Sequence, residues 1–358
     1  MVDMIDNILL RILFAPFSLL YGLGIGVRNW FYRQGFFRSV SFSIPIISVG
    51  NLSVGGAGKT PHVEYLIRFL RDYLSVGTLS RGYGRQSRGF LWVQRQMKAD
   101  KTGDEPLQYK RKYPDVHVAV GESRVLAIPT MLGDQPELQV ILLDDAFQHR
   151  AVKPGCNILL TEYSYPFTRD WLLPSGRLRE WRAGYRRADL ILVTKCPIDL
   201  SREEADRLRE EINPLPHQEV FFSYYAYSTP YSYFDPRYHL HSWEGSEVLL
   251  VTGIARTDYL AAYLDQLPIR YHHLEFADHH DFKPGDLERI EKAFSQIQSD
   301  QKFLLTTEKD AMRLEKYRQN LAQSRIPSYV LPVQVEFHFG SGPAFDERIR
   351  QFLLAFKV

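Results

Sequence analysis

The strongest chemical signal is a glycine-rich turn, SVGGAGKT at 53–60, set between an apolar run and a segment with apolar residues at helical spacing. Glycines let backbone N–H groups approach phosphate oxygens, and the start of a helix adds a dipole that favours an anion. Ser53, Val54, Gly55, Gly56, Ala57, Gly58, Lys59 and Thr60 therefore read as a nucleotide-binding loop. In it Lys59 reaches the outer phosphates and the Thr60 hydroxyl can ligate Mg2+. The first glycine of G-x-x-x-x-G-K-[ST] is replaced by Ser53, so the motif leans on the strand and helix around it. A turn that merely joins strand to helix is the plainer alternative.

A nucleoside triphosphate site also needs acid at a strand end, and QVILLDDAFQHR at 139–150 supplies Asp144 and Asp145 directly after four apolar residues. Carboxylates there emerge at the C-terminal edge of a sheet, where a P-loop holds magnesium and phosphate. A helix cap would use the same residues. Gly103-Asp104-Glu105-Pro106 reads as a rigid turn whose two carboxylates suit a base and a metal ligand, although acid-rich turns are usually only turns. The loop SRGYGR at 80–85 suits an anion or is an ordinary basic loop. GRLREWRAGYRRAD at 176–189 groups arginines suited to bidentate phosphate recognition, or to a solvated helix face. Seven of eleven histidines fall between His217 and His280, but ligands at helical spacing are missing, so a histidine supporting a carboxylate base fits better than zinc.

These residues need a scaffold. Apolar runs at 44–49, 76–79, 116–120, 140–143, 158–161 and 190–194 alternate with amphipathic stretches, which predicts a mostly parallel sheet covered by helices on both faces. A smaller α/β unit follows, with strands at 248–252, 270–276 and 303–306; runs at 220–227 and 329–337 bracket it as a two-stranded connector. The expected division is an N-terminal membrane-associated helix (1–38), a P-loop kinase-like core (39–219), connector and lid (220–337), and a helix returning to the core (338–358). The run ILLRILFAPFSLLYGLGIGV at 8–27, followed by Arg28, Arg33 and Arg38, suits a helix lying on or shallowly in a membrane. A helix packed on the protein's own core is the alternative.

Composition agrees with a globular α/β chain: of 358 residues, 45% are hydrophobic and 24% charged. A formal net charge of +2 excludes bulk nucleic-acid binding as an organising theme, so any anion must be met locally. Cys156 and Cys196 form no disulfide framework or zinc spacing, which favours the cytoplasm. No segment singles out a protein partner.

Taken together the motifs resemble one family, the tetraacyldisaccharide 4'-kinases of lipid A synthesis. The resemblance rests on VGNLSVGGAGKTP at 49–61, LSRGYGR at 79–85, GDEP at 103–106, LLDDAFQHR at 142–150, GRLRE at 176–180, ADHHDF at 277–282 and TTEKDAMRL at 306–314. It covers most of the chain, and the family's loop also lacks the first glycine. It implies transfer of the γ-phosphate of ATP, with Mg2+, to the 4'-hydroxyl of a tetraacylated glucosamine disaccharide 1-phosphate. The site would be at the cytoplasmic face of the bacterial inner membrane. It assigns Asp104 as general base and His279 as its support, which requires the smaller unit to close on the larger. It adds Glu105 and Asp144 or Asp145 at the metal, and Arg81, Arg124, Gln148, Arg179 and Glu180 as phosphate- or substrate-positioning residues. Two competing expectations remain: a membrane-bound nucleotide switch without lipid kinase activity, and a soluble P-loop enzyme acting on a small metabolite.

Overall fold

The computed structural model describes residues 8–278 and 280–357. In chain order its strands are β1 (Ile46–Asn51), β2 (Val76–Ser80), β3 (Leu91–Trp92), β4 (His117–Val120), β5 (Val140–Asp144), β6 (Cys156–Glu162), β7 (Leu190–Thr194), β8 (Glu219–Tyr227), β9 (Tyr231–Ser232), β10 (Glu247–Thr252), β11 (Arg270–Glu275), β12 (Lys302–Thr307), β13 (Ser328–Leu331) and β14 (Val333–Phe337). The helices are α1 (Ile8–Arg33), α2 (Lys59–Leu70), α3 (Ala99–Thr102), α4 (Asp104–Lys112), α5 (Arg124–Asp134), α6 (Arg202–Ile212), α7 (Asp258–Leu264), α8 (Pro284–Gln296), α9 (Glu308–Leu314), α10 (Arg318–Gln323) and α11 (Gly342–Ala355).

A nine-stranded sheet runs β14-β8-β7-β6-β1-β5-β2-β4-β3, and a five-stranded one β11-β10-β12-β13-β9. In the larger sheet β1 lies parallel between β5 and β6. Only its outer pairs, β3 with β4 and β14 with β8, are antiparallel. Strands β1, β2, β5 and β7 are buried at every residue, which is why they read as continuous apolar runs. Alternate residues serve opposite faces. Ile47, Val49 and Leu142 pack with Val63 and Ile67 of α2 and with Phe345 and Ile349 of α11. Ile46, Ile141 and Leu143 pack with Ala127, Ile128 and Met131 of α5. Full burial of each large aliphatic side chain contributes about 1.5–3 kcal/mol.

The expected connector pairs as β8 with β14, from Tyr227 opposite Val333 to Ser223 opposite Phe337. The run at 329–337 is, however, two strands. Pro332 has no N–H to donate and separates them. Its first half joins the smaller sheet beside β12, and its second half joins the larger.

Helix α1 is 26 residues long, about 39 Å at the α-helical rise. It is long and apolar enough to cross a membrane. The alternative of a core-packed helix does not hold, since only Ser18 and Gly22 of α1 are buried while Leu9, Leu13, Phe17, Leu20 and Leu23 are exposed. Its small, polar stripe docks on residues 172–181: Ser18 Oγ donates to Leu172 O (3.0 Å), Trp181 Nε1 to Gly22 O (2.8 Å) and Tyr21 OH to Arg179 O (2.8 Å). A Cβ at Gly22 would collide with Trp181 and Leu172, so the glycine that weakens α1 as a spanning helix is what lets it seat.

Candidate active site

Both sheets send the C-terminal ends of parallel strands to one cleft of about 930 Å³. Its walls are the segments after β1 (54–61), β2 (80–83), β5 (144–149), β10 (254–256) and β12 (307–309), with Lys195 after β7 and Tyr21, Ile25 and Arg28 of α1. That edge is where open α/β sheets bind ligands.

After β1 the chain reaches α2 through Gly58, whose φ of 83° is a left-handed value suited to glycine. A Cβ there would lie 2.6 Å from the Tyr225 hydroxyl of the connector strand. Val54 through Thr60 line the cleft, whereas Ser53 is absent from its wall. Ser53 instead forms an antiparallel bridge with Leu178, and the Val54 N–H donates to Arg177 O at 2.7 Å. An extended, paired position has no need of glycine, which accounts for the serine in the motif. The segment that receives α1 thus also braces the glycine loop.

Lys59 Nζ lies 3.3 Å from Asn51 Oδ1 and 3.6 Å from Asp145 Oδ1. Asp145 also accepts from Arg179 Nη1, at 3.0 and 3.3 Å. Burial opposes ionisation of Asp145, but Lys59 and Arg179 outweigh it and hold this carboxyl below its usual range. Its neighbour behaves oppositely: burial, then the charge of Asp145, pushes Asp144 up to about 6. Asp144 Oδ2 accepts from Tyr109 OH at 3.0 Å, while Oδ1 is buried with no hydrogen-bond partner among the described residues. No helix follows the pair, so it does not serve as a cap.

Asp144 shares the cleft wall with Thr60 and Glu105. Among the described residues no group of three His, Cys, Asp or Glu could hold a metal ion alone. Mg2+ in nucleotide sites takes one or two carboxylates together with substrate phosphates, and these residues fit that pattern.

The GDEP segment departs from expectation. Asp104 and Glu105 form the first turn of α4 and are not in an isolated turn. Gly103 at φ 88° sets the entry, Pro106 is tolerated in the first helical turn, and the two acids complement the helix dipole. Glu105 Oε1 pairs with Lys309 Nζ at 2.9 Å, and that charge outweighs burial and keeps the Glu105 carboxyl below its usual range. Asp104 is not on the cleft wall; its Oδ2 accepts from Arg313 Nε of α9 at 2.6 Å. Arg313 Nη1 in turn donates to Gly253 O and Asp310 Oδ1. His279 lies outside the described residues. Its neighbour His280 hydrogen-bonds Asp286 at 2.7 Å and stacks on Phe276.

Arg81, Arg124, Gln148, Arg179 and Glu180 all line the cleft. Gln148 Nε2 donates to Asn51 O (2.8 Å) and Glu180 Oε1 (3.2 Å), and Arg187 also holds Glu180. Sequence reasoning placed Arg28 at the membrane, whereas it lines the cleft, and gave no role to Asn51, Tyr109 or Arg313. It also missed a clasp between the sheets, where Glu162 Oε1 accepts from Arg256 Nη1 (2.8 Å), Tyr259 OH (2.9 Å) and Lys195 Nζ (3.4 Å). Glu162 and Lys195 stand at or just past strand ends, the same signal that marked Asp144, so they were findable.

Comparison with known proteins points the same way. The family model for tetraacyldisaccharide-1-P 4'-kinase matches residues 10–354. A tetraacyldisaccharide 4'-kinase of Bacteroides thetaiotaomicron is 41% identical over 349 residues, covering 93% of this chain and 91% of the relative. One from Flavobacterium johnsoniae is 41% identical over 349 residues, covering 97% and 98%. Among solved structures, the Aquifex aeolicus LpxK crystallised in complex with ATP superposes with a TM-score of 0.74 at 29% identity, over 96% of this chain and 99% of that one. By sequence and by fold, the chain belongs to the tetraacyldisaccharide 4'-kinase family.

Proposed function

We propose that the protein transfers the γ-phosphoryl group of ATP to the 4'-hydroxyl of a tetraacylated glucosamine disaccharide 1-phosphate, a lipid A precursor. The observation that carries this reading is one cleft bounded by a glycine-rich phosphate loop and, on another side, by an apolar helix whose outer face is exposed. A soluble-metabolite kinase has no use for such a helix. A polyacylated acceptor does, because its chains keep it in the bilayer and the site must come to the interface. We assign α1 to the cytoplasmic face of the bacterial inner membrane.

In this reading the backbone N–H groups of 54–60 and Lys59 hold the triphosphate, and Thr60 and Asp144, with Glu105 or Asp145, would hold Mg2+. When bound, that ion neutralises charge on the β- and γ-phosphates. Asp104 is the general base: it takes the 4'-hydroxyl proton as the new P–O bond forms and the bond to ADP breaks. The contact of Asp104 Oδ2 with Arg313 Nε at 2.6 Å supports this role by fixing where the carboxylate stands. His279 is proposed to support the same carboxylate, and Arg124, Gln148, Arg179 and Glu180 to position phosphate and sugar. Because phosphoryl transfer is loose, positioning and charge neutralisation carry most of the rate.

Incubating the purified protein with ATP, Mg2+ and the acylated disaccharide 1-phosphate in mixed micelles tests the reading. The lipid is expected to gain the mass of one phosphoryl group. Nucleotide hydrolysis with the lipid unchanged would replace the kinase with a nucleotide switch.

A further inference from the structure

We propose that His62 of α2 is a positioning residue for phosphoryl transfer: its ring holds the Gly58 carbonyl behind the glycine-rich loop, so that the loop's N–H groups stay turned toward the nucleotide. The inference rests on the reading of 54–60 as a triphosphate cradle and adds to it what keeps that cradle in shape.

A loop that binds phosphate through N–H groups must aim its carbonyls elsewhere, since a carbonyl oxygen facing the anion repels it. Buried carbonyls also need donors of their own. At the start of α2 such donors are scarce. Pro61, four residues after Ala57, has no N–H, so the Ala57 carbonyl takes no helical bond from that position. Thr194 Oγ1, at the end of β7, donates to it instead at 3.0 Å. The Gly58 carbonyl accepts the His62 N–H at only 3.3 Å, and its closer partner is the His62 side chain, whose Nδ1 lies 2.7 Å away. A carbonyl can only accept, so Nδ1 carries the proton.

The ring itself is held in place. His62 is 3% exposed, and its Nε2 lies 2.9 Å from the hydroxyl of Ser223 in β8, which also reaches Val193 O at 3.3 Å. Strand β7 through Thr194 and β8 through Ser223 and His62 thus brace the 57–58 and 58–59 peptides. In a planar trans peptide the C=O and the next N–H point in opposite directions. Fixing the Ala57 and Gly58 carbonyls behind the loop therefore fixes the Gly58 and Lys59 N–H groups on its other side. That other side is the cleft, whose wall includes Ala57, Gly58, Lys59 and Thr60 but not His62. The brace is needed here because Gly58, at φ 83°, is the residue whose backbone turns most freely.

The test is calorimetric binding of ATP and of AMP, which lacks the outer phosphates, to the full chain. His62→Leu keeps the bulk and loses both hydrogen bonds; it should lower ATP affinity about tenfold, the effect of one lost buried hydrogen bond, with AMP affinity unchanged. His62→Asn, whose amide nitrogen stands close to the place of Nδ1, should recover most of the loss. His62→Gln, whose amide reaches the place of Nε2 and so keeps only the Ser223 contact, should not. ATP binding by His62→Leu at the wild-type level overturns the proposal, as do equal losses for ATP and AMP, which would make His62 a general support of the fold, and recovery by Gln as complete as by Asn. Should the variants not fold, 15N-histidine spectra of wild type decide: a proton on Nδ1 of His62 is expected, and the tautomer protonated on Nε2 alone would leave the Gly58 carbonyl without that donor and overturn the proposal. A wild type that binds ATP no better than AMP would instead overturn the phosphate-loop reading itself.

Discussion

At the scale of single residues, the two carboxylates that open α4 divide the labour between the two sheets. Glu105 meets Lys309 and Asp104 meets Arg313, both partners arriving from α9. With Asp104 as general base, Asp104→Asn should lower kcat at least about 100-fold while calorimetric ATP affinity stays near wild type. Loss of affinity with turnover kept would remove Asp104 from the chemistry. Arg313→Lys should slow turnover as well, and the double variant should be no slower than Asp104→Asn alone; additive losses would show that Arg313 acts elsewhere. Lys59, Thr60 and Asp144 were legible because a fixed spacing or a strand end announces them. Arg313 was not, although it lies in a quoted motif, because its partner is 209 positions away and nothing local points to it.

At the scale of elements, a buried charge cluster joins the phosphate-loop helix to the smaller unit. Lys112 of α4 sits between Glu64 of α2 (2.5 Å) and Glu308 of α9 (2.7 Å). Burial, and then the nearby Glu64, raises the Glu308 carboxyl above its ordinary range, against the pull of Lys112. The fold therefore binds this proton more tightly than the unfolded chain does. The associated stability is present at acid pH, below the ordinary carboxylate range, and is lost as pH rises through the raised value. Glu308→Gln should remove that slope. Its thermal midpoint relative to wild type should climb between pH 5 and pH 8 by about 2 °C or more, whereas a constant difference would mean that Lys112 fully compensates both acids. Strands were easy to read at this scale because sheets covered on both faces demand unbroken apolar runs. GDEP misled because Gly and Pro signal turns, and only packing reveals that the same residues open a helix. The split at Pro332 follows from a missing N–H.

At the scale of the molecule, two sheets and one external helix each contribute a wall to a single cleft. The near-neutral total charge concealed this, since it averages Arg28, Arg81 and Arg124 against acids elsewhere. Length and the change of texture after 219 suggested two units, yet no sequence pattern indicated that both would turn strand ends toward each other or that Glu162 would clasp Arg256 and Tyr259. The exposed face of α1 makes a separate prediction. The exposed apolar side chains hold such a helix in the boundary of the bilayer, where a carboxylate is costly to bury, so Leu13→Asp with Leu20→Asp should cut co-sedimentation with phospholipid vesicles at least about tenfold without changing ATP binding. Unchanged sedimentation would show that α1 does not hold the protein on the membrane. The central claim concerns where the phosphoryl group goes, and through-bond 1H–31P correlation on the isolated lipid product reads that directly. A new phosphorus signal coupled to the proton on the 4' carbon of the distal sugar is the expected result; coupling to any other sugar position, or no new lipid phosphorus signal, would contradict the account.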